Sequence, residues 1–253
     1  MTDSPKHWVL LRGLVRQKRH WEQFPSRLEQ AFPDAQIHLL DLPGNGSLCD
    51  RPSPLTIAEM VESARQQLKL QKVSEPIHLL SISMGGMVTV EWMHQYQEEI
   101  AGAVIINSSL GNMGSLFERL RPQNYPAILK NIILQQSGYR REKLILDISS
   151  NLYPHKAELA KKWQQYALTH PTSTKNAMRQ LLAAARYRGP NSRPHAHALV
   201  LRSAQDRLVN PKCSEVLAKA WNWPLCTHEK AGHDLALDDG PWIIEQIQGW
   251  LGC

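Results

Sequence analysis

Short apolar runs alternate with longer amphipathic stretches along most of the chain. The apolar runs are typical of buried strands, and they lie at Trp8–Leu11, Gln36–Leu40, Pro76–Ile82, Ala101–Asn107, Ala198–Ser203 and Leu225–His228. Apolar residues recur at helical spacing in five stretches: about His20–Ala31, Leu55–Leu70 with Thr56 as a candidate cap, Met84–Gln97, Pro211–Trp221 and Pro241–Leu251. This alternation predicts a mainly parallel sheet of about six strands with helices on both faces.

The alternation stops between residues 108 and 194. This region contains only short helical stretches, at Leu116–Leu120, Pro126–Gln136, Arg141–Ser150, Pro154–Leu168 and Thr174–Arg188. We interpret it as a helical lid inserted over the carboxyl ends of the strands, where ligands bind in open α/β sheets. Residues 1–107 and 195–253 are then the two halves of one catalytic core.

A candidate nucleophile, Ser83, lies between a predicted strand and a predicted helix. A sharp strand-to-helix turn requires small residues two before and two after the nucleophile, and Ser81 and Gly85 occupy these positions. Serine replaces the more usual glycine at position 81. The Met84 amide, at the start of the helix, is a candidate donor to a developing oxyanion.

A serine nucleophile needs a base and an acid that orients the base. Asp206 follows the strand that ends at Ser203, and His233 precedes the last helix, so the order is Ser, Asp, His. His228 is a rival base, but it should lie in or beside the last strand. Three further carboxylates near His233 are rival acids that we expect to act as caps or ion-pair partners: Asp234, Asp238 and Asp239.

These motifs resemble the α/β-hydrolase superfamily, in the branch of cofactor-free serine hydrolases with a helical lid. The resemblance extends from Trp8 to Leu251 and includes the loop Asp41–Gly46, which is similar to a D-x-P-G-x-G loop of that branch. It implies the α/β-hydrolase fold, with neither a cofactor nor a metal. Four scattered cysteines without a paired motif likewise predict neither a zinc site nor a disulfide framework.

The resemblance also implies a second oxyanion donor. In the family the first strand ends in His-Gly, and the following residue donates its amide; the matching positions here are Arg12, Gly13 and Leu14. Arg12 replaces the histidine. It is therefore a candidate substrate-binding cation, and the alternative is a structural arginine paired with a carboxylate of a neighbouring loop.

The charge distribution suggests the substrate class. Residues 110–195 carry a formal charge of +10 and the rest of the chain −4. A basic lid favours an anionic substrate or partner, such as an acidic acyl carrier protein, a coenzyme A thioester or a carboxylate-bearing ester. The alternative is a solvated helical surface. The candidate cations are Arg119, Arg121, Arg140, Arg141, Lys143, Lys161, Lys162, Arg186 and Arg188.

The sequence therefore predicts a carboxylic ester or thioester hydrolase that forms an acyl-enzyme on Ser83. Two alternatives stay open: a carbon–carbon bond hydrolase or lyase on the same fold, and a non-catalytic binding protein. No nucleic-acid motif accompanies the net charge of +6, and no apolar run reaches the length of a membrane span. We expect a soluble cytoplasmic protein.

Overall fold

A computed structural model describes residues 6–73, 76–127 and 138–252. Within these residues six parallel strands form one sheet in the order β2-β1-β3-β4-β5-β6. The strands are β1 (His7–Leu11), β2 (Gln36–Leu40), β3 (Ile77–Ile82), β4 (Ile100–Ile106), β5 (His197–Ser203) and β6 (Leu225–His228). The predicted fold class is confirmed.

Helices connect the strands and cover both faces of the sheet. They are α1 (Phe24–Ala31), α2 (Ile57–Leu70), α3 (Met84–Gln95), α4 (Leu116–Arg119), α5 (Tyr139–Ser149), α6 (Lys156–Thr169), α7 (Thr174–Arg186), α8 (Lys212–Trp221), α9 (Leu235–Asp238) and α10 (Gly240–Leu251). Helix α2 begins after Thr56, whose hydroxyl accepts a hydrogen bond from the Glu59 amide, as the sequence predicts.

The alternation of side chains along β1 divides the core into two layers. Val9 and Leu11 pack with apolar residues of α2 and α3 on one face. Trp8 and Leu10 pack with residues of α1 and α10 on the other face. Because both faces of this strand are fully buried from Trp8 to Leu11, these four residues are all apolar rather than alternating with polar ones.

The first helix differs from its prediction. The stretch predicted as one helix from His20 is a 3₁₀ turn, Lys18–Trp21, followed by α1 from Phe24. Glu22 has a φ of 53° between them, a conformation that no right-handed helix can contain. Helix α9 was not predicted, and most of the helix predicted at Pro126–Gln136 lies outside the described residues.

The segment between β4 and β5 contains α4 to α7 and contacts the core through buried polar groups. On α7, Asn176 accepts a hydrogen bond from the Ser53 amide, and Gln180 donates one to the Ser53 hydroxyl. On α6, the Trp163 indole donates to Glu22. We call residues 108–194 the insertion. Among the helices described, none is long and apolar enough to cross a membrane.

Candidate active site

Ser83 lies at the sharp turn between β3 and α3. Its φ of 60° and ψ of −123° are rare for a residue with a side chain, which marks a strained position. A Cβ atom on Gly85 would lie 2.5 Å from the Leu11 carbonyl oxygen, so only glycine fits there. Ser81 is fully buried, and its hydroxyl lies within hydrogen-bonding distance (3.4 Å) of the Val104 carbonyl oxygen.

The turn after β1 lies directly against Ser83. A Cβ atom on Gly13 would lie 2.9 Å from the Ser83 Cβ and 3.3 Å from its Oγ. Within the described chain, the amides of Leu14 and Met84 donate no hydrogen bond to another group. Both residues line the same cavity as Ser83, where two free amide donors suit an oxyanion.

Asp206 and His233 form a buried pair. The Nδ1 atom of His233 is 2.7 Å from Oδ2 of Asp206, and the two side chains are 8% and 1% exposed. The other carboxylate oxygen, Oδ1, accepts the amides of Leu208 and Val209 at 2.8 and 3.0 Å. With Nδ1 donating to the carboxylate, Nε2 is left as a proton acceptor.

Asp234, which follows His233, pairs with Arg12. The arginine donates to both carboxylate oxygens, at 3.0 and 2.6 Å, and each side chain is 5% exposed. The guanidinium also lies 4.8 Å from the ring centroid of Trp21. Arg12 is therefore paired with a carboxylate of a neighbouring loop, as expected if it is a structural arginine, and it also lines the cavity. Its role in substrate binding stays a prediction.

The other rival residues have structural partners. Asp239 accepts the Trp242 amide at the start of α10, and its second oxygen lies 3.1 Å from Nε2 of His228, the last residue of β6. Asp238 accepts the amides of Gly232 and Asn151. These caps and pairs hold the loop that carries His233.

Two residues at the end of β4 were missed by the sequence reasoning. The Asn107 amide group donates to the carbonyl of His233 at 2.8 Å and to the Ser203 hydroxyl at 3.1 Å, and its oxygen accepts the Ser203 amide. The Ser108 hydroxyl donates to the Ser83 carbonyl at 2.8 Å. An Asn-Ser pair at the carboxyl end of a predicted strand was the available signal.

One cavity of about 240 Å³ contains Ser83, His233, Leu14, Met84 and Arg12 in its lining. Asp206 lies behind His233 and is not part of the lining. Most of the remaining wall is apolar and comes from the insertion and the core: Leu116, Leu120, Ile145, Ile148, Leu181, Met87, Leu208 and Val209. Trp163, an aromatic residue of the insertion, does not line this cavity but packs in a separate cluster with Leu146 and Leu159.

The nine candidate cations that the sequence indicates in the insertion fall into three groups. Arg119 and Arg141 line the cavity. Three others have partners elsewhere, since Arg121 donates to the Asp206 carbonyl and Lys143 and Lys162 pair with Asp147 and Glu22. The remaining four are exposed: Arg140, Lys161, Arg186 and Arg188.

The strand order, the turn at Ser83 and the buried His233–Asp206 pair together define a hydrolase of the α/β type. The family model of the alpha/beta hydrolase family matches residues 8–245, and the chain belongs to that family. A search of curated proteins found no match.

Solved structures with the same fold include several esterases. An esterase from Exiguobacterium antarcticum superposes with a TM-score of 0.80 at 14% identity, covering 99% of this chain and 93% of that chain. A thermophilic esterase from Thermogutta terrifontis superposes with a TM-score of 0.77 at 18% identity, covering 99% of this chain and 91% of that chain. An esterase from a Rhodococcus species superposes with a TM-score of 0.76 at 17% identity, covering 98% of this chain and 90% of that chain.

Proposed function

We propose that the protein is a carboxylic ester hydrolase that uses Ser83 as nucleophile, His233 as general base and Asp206 as the orienting acid. The observation that carries this proposal is the buried 2.7 Å contact between His233 and Asp206 beside a cavity that contains Ser83. The names of the similar structures support ester substrates, although at their low identity they share only the fold with this chain.

The reaction would run in two steps through an acyl-enzyme. Ser83 Oγ attacks the ester carbonyl while His233 Nε2 accepts the hydroxyl proton, and the same proton passes to the leaving alcohol. The amides of Leu14 and Met84 would stabilise the oxyanion in each tetrahedral intermediate. Water then adds to the acyl carbon with His233 again as base, which releases the acid and restores the serine.

The turn at Ser83 suits this chemistry because its strain is maintained by the surrounding backbone. The Ser83 amide donates to the Ile106 carbonyl, and its own carbonyl accepts the hydroxyl of Ser108 and the amide of Gly86. The hydroxyl therefore projects from a fixed turn rather than from a flexible loop, which lowers the cost of reaching the attack geometry.

The test compares wild type with Ser83→Ala on short-chain p-nitrophenyl esters, after labelling with a fluorophosphonate probe. We expect wild type to be labelled and active, and Ser83→Ala to lose labelling and at least about a thousandfold in kcat. Ser214→Ala is the matched control, since it removes a buried serine hydroxyl on α8, outside the cavity lining. Undiminished activity of Ser83→Ala would refute the proposal. An acyl carrier or coenzyme A thioester as the natural substrate stays a prediction.

A further inference from the structure

The cavity lining contains four arginines, and the structure supplies carboxylates that neutralise two of them. Arg12 pairs with Asp234, as described above. Arg16 donates to Oε2 of Glu142 at 2.8 Å and lies 4.8 Å from the Trp163 ring centroid. Among the described residues Arg119 pairs with no carboxylate, and Arg141 reaches only Glu142, at 3.7 Å, which Arg16 already binds at 2.8 Å; residues 128–137 contain no Asp or Glu.

Arg119 is the more buried of these two cations, and its guanidinium is largely used by backbone. It donates to the carbonyls of Ala184 and Ala185 at the end of α7. A cation there stabilises the partial negative charge of the helix terminus. Arg119 therefore has a structural role, and it adds positive potential to the cavity wall.

Arg141 has no comparable role. Its guanidinium donates no hydrogen bond to a described residue, and its Nε lies 3.7 Å from Oε1 of Glu142, which Arg16 already binds more closely. Its side chain is 22% exposed, so its five donors are only partly shielded from water. Burial lowers the pKa of Arg141, because an incompletely compensated charge is disfavoured away from solvent.

The position of Arg141 in the fold makes this arrangement more unusual. It lies in the first turn of α5, where the helix dipole disfavours a cation. Ile145 and Ile148 follow it at helical spacing, and all three line the cavity. The cavity-facing side of α5 thus places the guanidinium of Arg141 beside the apolar side chains of Ile145 and Ile148.

We propose that Arg141 binds a carboxylate on the substrate's acyl chain, so that the preferred substrates are monoesters of dicarboxylic acids. This inference rests on the proposed esterase function. The acyl part is the one retained on Ser83 after the alcohol leaves, and the apolar wall beside Arg141 suits its methylene chain. A planar carboxylate matches the two parallel donors of a guanidinium.

The experiment compares pairs of methyl esters with equal chain length, one neutral and one ending in a carboxylate, such as methyl hexanoate and monomethyl adipate. The pairs extend from succinate to suberate, because the chain length that reaches Arg141 is the one that should show the preference. Wild type should favour the charged member at one of these lengths by about tenfold or more in kcat/KM.

Arg141→Gln should lose about 10- to 100-fold in kcat/KM for the charged ester and change little for the neutral one. Arg141→Lys should recover part of the loss. Arg140→Gln is the matched control, since it removes the same charge from the adjacent, exposed position outside the cavity lining. It should leave both substrates unaffected.

A second measurement uses wild type alone and so does not depend on the folding of a variant. Free diacids from succinate to suberate are compared with monoacids of equal length. At the length preferred among the ester pairs, the diacid should inhibit hydrolysis of a neutral ester more strongly than the monoacid and more strongly than the alkyl phosphate of that length. Equal inhibition by diacid and monoacid at every length, equal rates on all the paired esters, or equal losses in the Arg140 and Arg141 variants would overturn the inference. Ser83-dependent hydrolysis of neutral esters would meanwhile leave the proposed function standing.

Discussion

The ion pair between Arg12 and Asp234 joins the oxyanion turn to the loop that carries His233. Both side chains are 5% exposed and share two hydrogen bonds, at 3.0 and 2.6 Å. Removing one partner of such a buried pair leaves an uncompensated charge, which costs about 3–5 kcal/mol. We therefore expect Asp234→Leu and Arg12→Met each to lower the free energy of unfolding by about that amount.

In a chain of this size such a loss corresponds to a fall in Tm of roughly 6–20 °C, since 1 kcal/mol shifts Tm by about 2–4 °C. The double variant Arg12→Met/Asp234→Leu removes both charges together, and it should recover most of the stability because apolar residues can replace a buried pair at little cost. Urea denaturation of the four proteins gives the coupling energy directly.

The reasoning would be refuted by losses below about 1 kcal/mol in both single variants, or by a double variant that loses the sum of the two. Activity supplies an independent readout. The double variant should stay below wild type in kcat even where its stability is restored, because Gly13–Leu14 and His233 are then no longer linked.

Two further predictions concern Asp206 and His78. Asp206→Asn should reduce kcat on p-nitrophenyl esters by about 10⁴-fold, because an amide cannot hold His233 in the required tautomer, and a loss below tenfold would contradict the assigned role. Burial lowers the pKa of His78 from 6.5 to about 4. As pH falls from about 6.5 to 4, His78 is therefore protonated in the unfolded chain but not in the folded one, and the folded state loses stability. In His78→Leu the free energy of unfolding should fall less steeply over that range, with a slope smaller than that of wild type by up to about 1.4 kcal/mol per pH unit; equal slopes would count against this explanation.

Local patterns were sufficient for the sheet and for the strand-to-helix turn at Ser83. Strands such as Gln36–Leu40 and Leu225–His228 have the predicted bounds, because a short apolar run between turn residues has few alternatives. Ser83 was found from its context between a strand and a helix. Asp206 and His233 were chosen as acid and base from their positions after a strand and before the last helix, in the order Ser, Asp, His, and the structure brings their side chains into contact.

Contacts between distant segments could not be predicted in this way. Arg12 and Asp234 are separated by 222 positions, and nothing near either residue identifies the other. The same limit applies to the basic residues of the insertion, which the sequence could count but not separate into cavity-lining, paired and exposed groups. The late start of the first predicted helix, at Phe24 rather than about His20, depended on the backbone at Glu22, where periodicity carries no information.

The insertion is attached to the loop of the catalytic acid, and this limits how the protein can be engineered or can diverge. The Arg121 guanidinium donates to the carbonyl of Asp206, and the backbone amide of Arg121 donates to the carbonyl of Leu208. The side-chain amide of Asn124 donates to the carbonyl of Arg207. In return, Arg207 donates to the Asp147 carbonyl on α5. A chimaera that exchanged residues 108–194 for the equivalent segment of a relative would put these contacts at risk together, so we expect such an exchange to require the acid loop of the same relative.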